Sequence, residues 1–297
     1  MVEGKGSSVR ARTQYEAIHN RTGLQLPGDA RVVVWTIVNV EVWSPFGVMP
    51  RAVLPPPMGQ TMLPDIANWS WHEYGMRVGF WRLLSSLQRL GIPVTFAVNG
   101  KACSIYPEAC NAALTAGWEF IGHGFEQRPM HTVADEWAAI SATIKAIKKL
   151  TGHTPRGWES PGLTETDMTL DLLKEAGIEY VADWVMDDQP SFLQTKGGPL
   201  VAMPYTVELN DVVLMAVQNQ SSSELLTRGI DQFERLYQEG SESPRVMAIS
   251  LHPYLTGVPH RIGYLEKLYE HIQSREDVVF WTGSEILDWY QSQTLKA

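Results

Sequence analysis

The 297-residue chain is poor in cysteine, in clustered basic charge and in long apolar runs. Two cysteines, Cys103 and Cys110, are too few for a disulfide framework or a zinc knuckle, so free thiols in a reducing compartment are expected. No block of five or more Lys or Arg occurs and the net charge is -9, which disfavours nucleic acid as a partner. No apolar stretch approaches the ~20 residues that span a bilayer. The opening MVEGKGSSVRARTQYEAIHN lacks the apolar core of a signal peptide. The expectation is a cytoplasmic protein that engages neither nucleic acid nor membrane. The phosphate-cradling patterns GxGxxG and GxxxxGKS/T are missing, as is the GxSxG of a serine nucleophile elbow.

What is present is a 44% hydrophobic composition, enough for a large core, and a repeated alternation of short β-rich runs with helix-like segments. RVVVWTIVNV (31–40) reads as a buried strand. A proline-rich loop from about Ser44 to Trp71 follows, then a helix to about Leu90. PVTFAVNG, EFIGHG, PRGWES, YVADWV, RVMAISLH and VVFWTG read as further strands separated by helices, with GGPLVAMPYTVELND (197–211) as an extended or hairpin insertion. Seven or eight β-then-α units predict an α/β fold, a distorted (β/α) barrel with about seven parallel strands. Residues 1–27 read as a partly flexible arm and 28–297 as one catalytic domain.

In such a barrel the reacting groups stand at the C-terminal strand ends. Those positions hold Glu41, then His123 between two glycines, then Trp158-Glu159, then Asp183-Trp184 with Asp187 and Asp188 beyond, and finally His252 before a proline. Carboxylates, imidazoles and tryptophans without a nucleophilic serine or cysteine point to water attack assisted by acid and base groups. Each residue has a plainer role open to it: Glu41 as a helix cap, His123 and His252 as satisfied core histidines, and Asp187 and Asp188 as turn formers before Gln189-Pro190.

Through "GWEFIGHG", "RGWESPGLTET", "ADWVMDDQP", "PYTVELND" and "SLHPYLTGVPHR", the chain resembles the polysaccharide deacetylase superfamily. This is the NodB-homology fold of carbohydrate esterase family 4, and the likeness is nearest its cytoplasmic allantoinase and cyclic-imidase branch. The resemblance implies a water-activating acid at Glu41 and a general acid at His252. It implies metal ligands where this chain has Val42 and Gln127, leaving His123 alone, and an arginine where it has Glu159. The expected reaction is therefore hydrolysis of a non-peptide C–N bond in a cyclic amide, imide, ureide or small linear amide, with no cofactor. Glu41, His252 and His123 would be catalytic, and Trp43, Glu159, Trp158, Trp184, Asp187, Asp188 and Asn210 would line the substrate. The alternatives are a metal-dependent N-deacetylase of an acetylated amino sugar and an inactive binding protein. A single divalent metal such as zinc, held by Glu41, His123, Glu159 and His252, is the other cofactor reading. The resemblance also implies a homo-oligomer, dimer or tetramer.

Overall fold

A computed structural model describes residues 9–21 and 23–294. Its centre is β1 (Val32–Val40), in which every residue is buried. Seven of the nine residues are Val, Ile or Thr, whose branched side chains suit a pleat covered on both faces. β1 pairs in parallel along one edge with β8 (Arg245–Leu251). Its other edge is divided: β9 (Val278–Phe280) takes Val32 to Val34, and β2 (Val94–Val98) takes Thr36 to Val40.

The sheet continues in parallel through β3 (Glu119–Gly122), β4 (Gly157–Trp158), β5 (Tyr180–Val181) and β7 (Leu200–Ala202). β6 (Ser191–Leu193) then pairs antiparallel with β7. The result is a curled, mostly parallel half-barrel with helices outside. Against the expectation of about seven parallel strands, among the described residues eight run parallel and a ninth is reversed. The reversal comes from a hairpin of β6 and β7, whose two arms are too closely joined for a parallel crossover; only β7 lies within the stretch 197–211 read as an insertion, and β6 precedes it.

The helix expected after the proline-rich loop starts earlier than predicted, at Ile66, where the Asp65 carboxylate accepts the Asn68 N–H at 3.1 Å. It runs as Ile66–Tyr74 and Phe80–Arg89, joined by a π-turn over Gly75–Gly79. The bulge lies against the chain just after β8, and a Cβ on Gly79 would overlap the Pro253 carbonyl. Only glycine allows this helix so close to the turn that carries His252.

The N-terminal arm folds back on its own chain from Val9 onward. Arg12 forms a two-pronged pair with Asp171 at 2.7 and 2.9 Å, Arg21 pairs with Asp187, and the Gln25 carbonyl accepts the Trp289 indole N–H at 2.7 Å. No described helix is long and apolar enough to cross a membrane.

Candidate active site

The C-terminal ends of β1, β3 and β8 deliver Glu41, His123 and His252 to one place. All three are almost wholly buried, at 4%, 2% and 5% exposure. Glu41 Oε1 lies 3.8 Å from His123 Nε2 and 3.5 Å from His252 Nε2. Both separations exceed a good hydrogen bond, so the three groups face a common space that a water or a substrate atom can bridge.

Each is held from behind. The other oxygen of Glu41 accepts the Trp43 indole N–H at 2.6 Å. Trp43 is itself stacked on His72, ring centroids 4.4 Å apart, and meets Tyr254 edge-on. His252 donates through Nδ1 to Asp211 at 2.7 Å. Asp211 also accepts the His252 backbone N–H at 2.8 Å and the Thr256 hydroxyl at 2.6 Å, and it is fully buried. His123 donates through Nδ1 to the Glu159 carbonyl at 2.8 Å, which leaves Nε2 without a partner among the described residues. In both imidazoles the rear bond fixes the ring and aims Nε2 at Glu41.

The charges follow from this packing. Burial opposes ionisation of Glu41, but the facing His123 and His252 rings prevail and hold its carboxyl well below the usual range. Burial likewise opposes charge on His252, yet Asp211 and Glu41 raise it to about 10. His123 is raised despite burial, by Glu159 and Glu41. Glu159 is pushed up to about 7, chiefly by burial and against the pull of His123, with Asp183 adding to the rise. Its carboxyl receives the Tyr205 hydroxyl at 3.0 Å, and Asn39, oriented to satisfy both neighbours, reaches it at 3.1 and 3.3 Å.

The positions where the resemblance implies metal ligands hold a different structure. Val42 is buried and apolar. Asn99 accepts the Val42 N–H at 2.8 Å and donates to the His123 carbonyl and to the Gln127 amide oxygen, while the Gln127 N–H bonds to the Val42 carbonyl. Neutral amides fill that corner, where the resemblance implies a carboxylate and a second imidazole. Glu159, the other candidate ligand, accepts the Tyr205 hydroxyl and lies within reach of the Asn39 amide. The carboxylate and second imidazole that the usual metal corner would need are therefore replaced here by an apolar and an amide side chain.

Several residues expected at the substrate stand elsewhere. Trp158 is fully buried beside Gly122 and bonds Ser160 Oγ at 3.0 Å, so it is a core residue. Trp184 turns to Glu165. Asp187 is committed to Arg21, and the Asp188 carbonyl receives the Val246 N–H at the opposite end of β8. Both aspartates lie just beyond the end of β5, where the chain leaves the strand tips. Asn210 stays near the cluster, 3.3 Å from the Tyr205 hydroxyl, and its carbonyl caps Val212.

Sequence reading placed Asp211 only at the end of the stretch 197–211 and passed over His72. Burial keeps His72 neutral down to about pH 4. Its helix pattern gave no sign of a stacked ring; the signal for Asp211 was an acid at the end of that extended stretch, which only the closed fold brings to His252.

The family model described as polysaccharide deacetylase matches residues 71–181. A Schizosaccharomyces pombe protein assigned to the polysaccharide deacetylases is 33% identical over 250 residues, 76% of this chain and 77% of that protein. The peptidoglycan deacetylase of Helicobacter pylori is 24% identical over 245 residues, 71% of this chain and 83% of that one. Among solved structures, one from Pseudomonas aeruginosa PAO1 assigned to the same enzymes superposes with a TM-score of 0.81 at 27% identity, covering 92% of this chain and 95% of that one. Puue allantoinase does so with a TM-score of 0.81 at 25% identity, covering 93% and 95%.

Proposed function

The chain belongs to the polysaccharide deacetylase family, a class of C–N hydrolases, and from that footing we propose that it hydrolyses a non-peptide amide, imide or ureide without a metal. The observation that carries this is the Glu41–His123–His252 arrangement: one carboxylate oxygen and two Nε2 atoms facing a shared space, each fixed from behind. The similarity to an allantoinase supports a small nitrogenous substrate.

Glu41 takes a proton from water as the water oxygen attacks the carbonyl carbon. The developing oxyanion is met by the His123 Nε2–H, a charged donor. His252, kept protonated by Asp211, gives its Nε2 proton to the leaving nitrogen as the C–N bond breaks. Glu41 then returns its proton to His252, and the cycle closes with no net proton on the protein. Glu159, at the edge of the cluster, accepts a substrate N–H when ionised.

The test is turnover of a panel of ureides, imides, linear amides and N-acetyl amino sugars by chelator-treated protein. Wild type should hydrolyse at least one of the first three classes, and Glu41→Gln should lower kcat by about 10²–10⁴-fold. Activity that appears only on adding zinc, and only with N-acetyl sugars, would establish the metal-dependent deacetylase in its place.

A further inference from the structure

Beside the end of β5, and separated from the catalytic cluster by Ser160, lies a second cavity of about 430 Å³. Leu163, Leu170 and Trp184 form much of its wall, and Asp183 and Glu165 supply the free polar groups. Asp183 is only 9% exposed. One of its oxygens accepts the Ser160 N–H at 2.6 Å, while the other, Oδ2, has no partner among the described residues. Glu165 accepts the Trp184 indole N–H at 3.0 and 3.1 Å, which sets the carboxylate beside the aromatic wall. Among the described residues the one cation on the wall is Arg12, which is paired with Asp171 and also donates to the carbonyls of Asp167 and Gln194. What the cavity offers an occupant is hydrogen-bond acceptors, negative charge and an indole.

We propose that this cavity binds a small organic cation, an alkylammonium or guanidinium group on an apolar body, with its N–H donors on Asp183 and Glu165 and its body along Trp184. The Asp183 and Glu165 carboxylates select for donors, an aromatic wall adds attraction for a cation, and a neutral ligand would leave the Asp183 charge uncompensated. Burial together with the neighbouring Asp183 pushes Glu165 up to about 9, and Asp183 is raised as well, chiefly by burial. Near neutral pH the pair thus keeps a proton that an incoming cation displaces. Affinity should rise with pH toward 9, and binding should release protons. The site stands independently of the hydrolysis proposed above, because none of the three catalytic groups lines it.

Calorimetry on the full chain with n-butylammonium and methylguanidinium, against n-butanol as the neutral analogue, tests this. At least one cation should bind saturably, more tightly at pH 8 than at pH 6, with heats that depend on the buffer's ionisation enthalpy. Asp183→Asn and Glu165→Gln keep their oxygen acceptors for the Ser160 N–H and the Trp184 indole, so both should fold. Each should weaken binding about tenfold or more. Glu285→Gln, in the separate acidic and tryptophan-lined groove of the last helix, should bind as wild type does. Equal binding of n-butanol, undiminished binding by folded Asp183→Asn and Glu165→Gln, or no saturable binding of either cation would overturn the proposal.

Discussion

Asp211 touches no reacting atom in the proposed mechanism, yet it decides the charge of the residue that does. It is fully buried and spends its carboxylate on the His252 ring, the His252 backbone and Thr256. With Asp211 and Glu41 beside it, His252 stays protonated up to about pH 10, so the general acid is loaded throughout the neutral range. Asp211→Asn removes the larger of these influences. The alkaline limb of kcat/KM should move from near 10 toward neutrality, and kcat at pH 7 should fall by about 10–100-fold, as for other buried partners that orient a histidine. A pH–rate profile of the variant checks this; an alkaline limb that stays in place would detach Asp211 from the acid. At this scale Glu41, His123 and His252 were legible, because each follows an apolar strand and strand ends are where a half-barrel places its chemistry. The ring of His72 stacked behind Trp43 and the orphan oxygen of Asp183 were not, since each depends on how separate elements pack.

Among the elements, the helix after the proline-rich loop shows how far function reaches into packing. Its π-turn brings Gly75 and Gly79 against the backbone of Pro253 and Tyr254, next to His252. Ala at position 79 would need the Pro253 carbonyl to move, and the turn that aims His252 would move with it. Gly79→Ala should cost about 1–3 kcal/mol of stability through overpacking, and it should lower kcat more than it raises KM. Denaturant unfolding and steady-state kinetics measured on the same preparation test both halves. The glycine pair was visible in the sequence, but periodicity alone reads it as a tolerated weakness in an ordinary helix. The start of that helix was misplaced for a related reason: a proline-rich stretch reads as loop until a capping acid is recognised, here Asp65. The stretch 197–211 was recognised as extended chain, while the antiparallel strand β6 just before it is a matter of pairing that no local pattern carries.

The whole molecule carries a buried acid that opposes its own ionisation. Glu159 titrates near 7 in the fold against an ordinary value of 4.5. Its folded value is raised, so the stabilising contribution is fully present below about pH 4.5 and is lost as pH rises through 7. Between pH 5 and pH 8 the wild type should lose up to about 3 kcal/mol from this group. Glu159→Gln should lose less across the same interval and should melt higher than wild type at pH 8. Thermal unfolding of both proteins at several pH values decides it, with parallel curves counting against the assignment. The class of fold was readable from the alternation of strand and helix because that rhythm is local. The order of strands in the sheet, and the sharing of one edge of β1 between β2 and β9, were not.

That shared edge has a consequence in time. β1 emerges early during synthesis, but two of its three partners, β8 and β9, lie more than 200 residues further on. Until the last quarter of the chain exists, an apolar strand rich in valine has one edge and part of the other open. Contacts of such wide sequence separation form slowly, and the nascent chain waits in a state prone to pairing with its neighbours. The Glu41 carboxylate sits one residue past that same strand, so Glu41, His123 and His252 come together only in the final stage of folding.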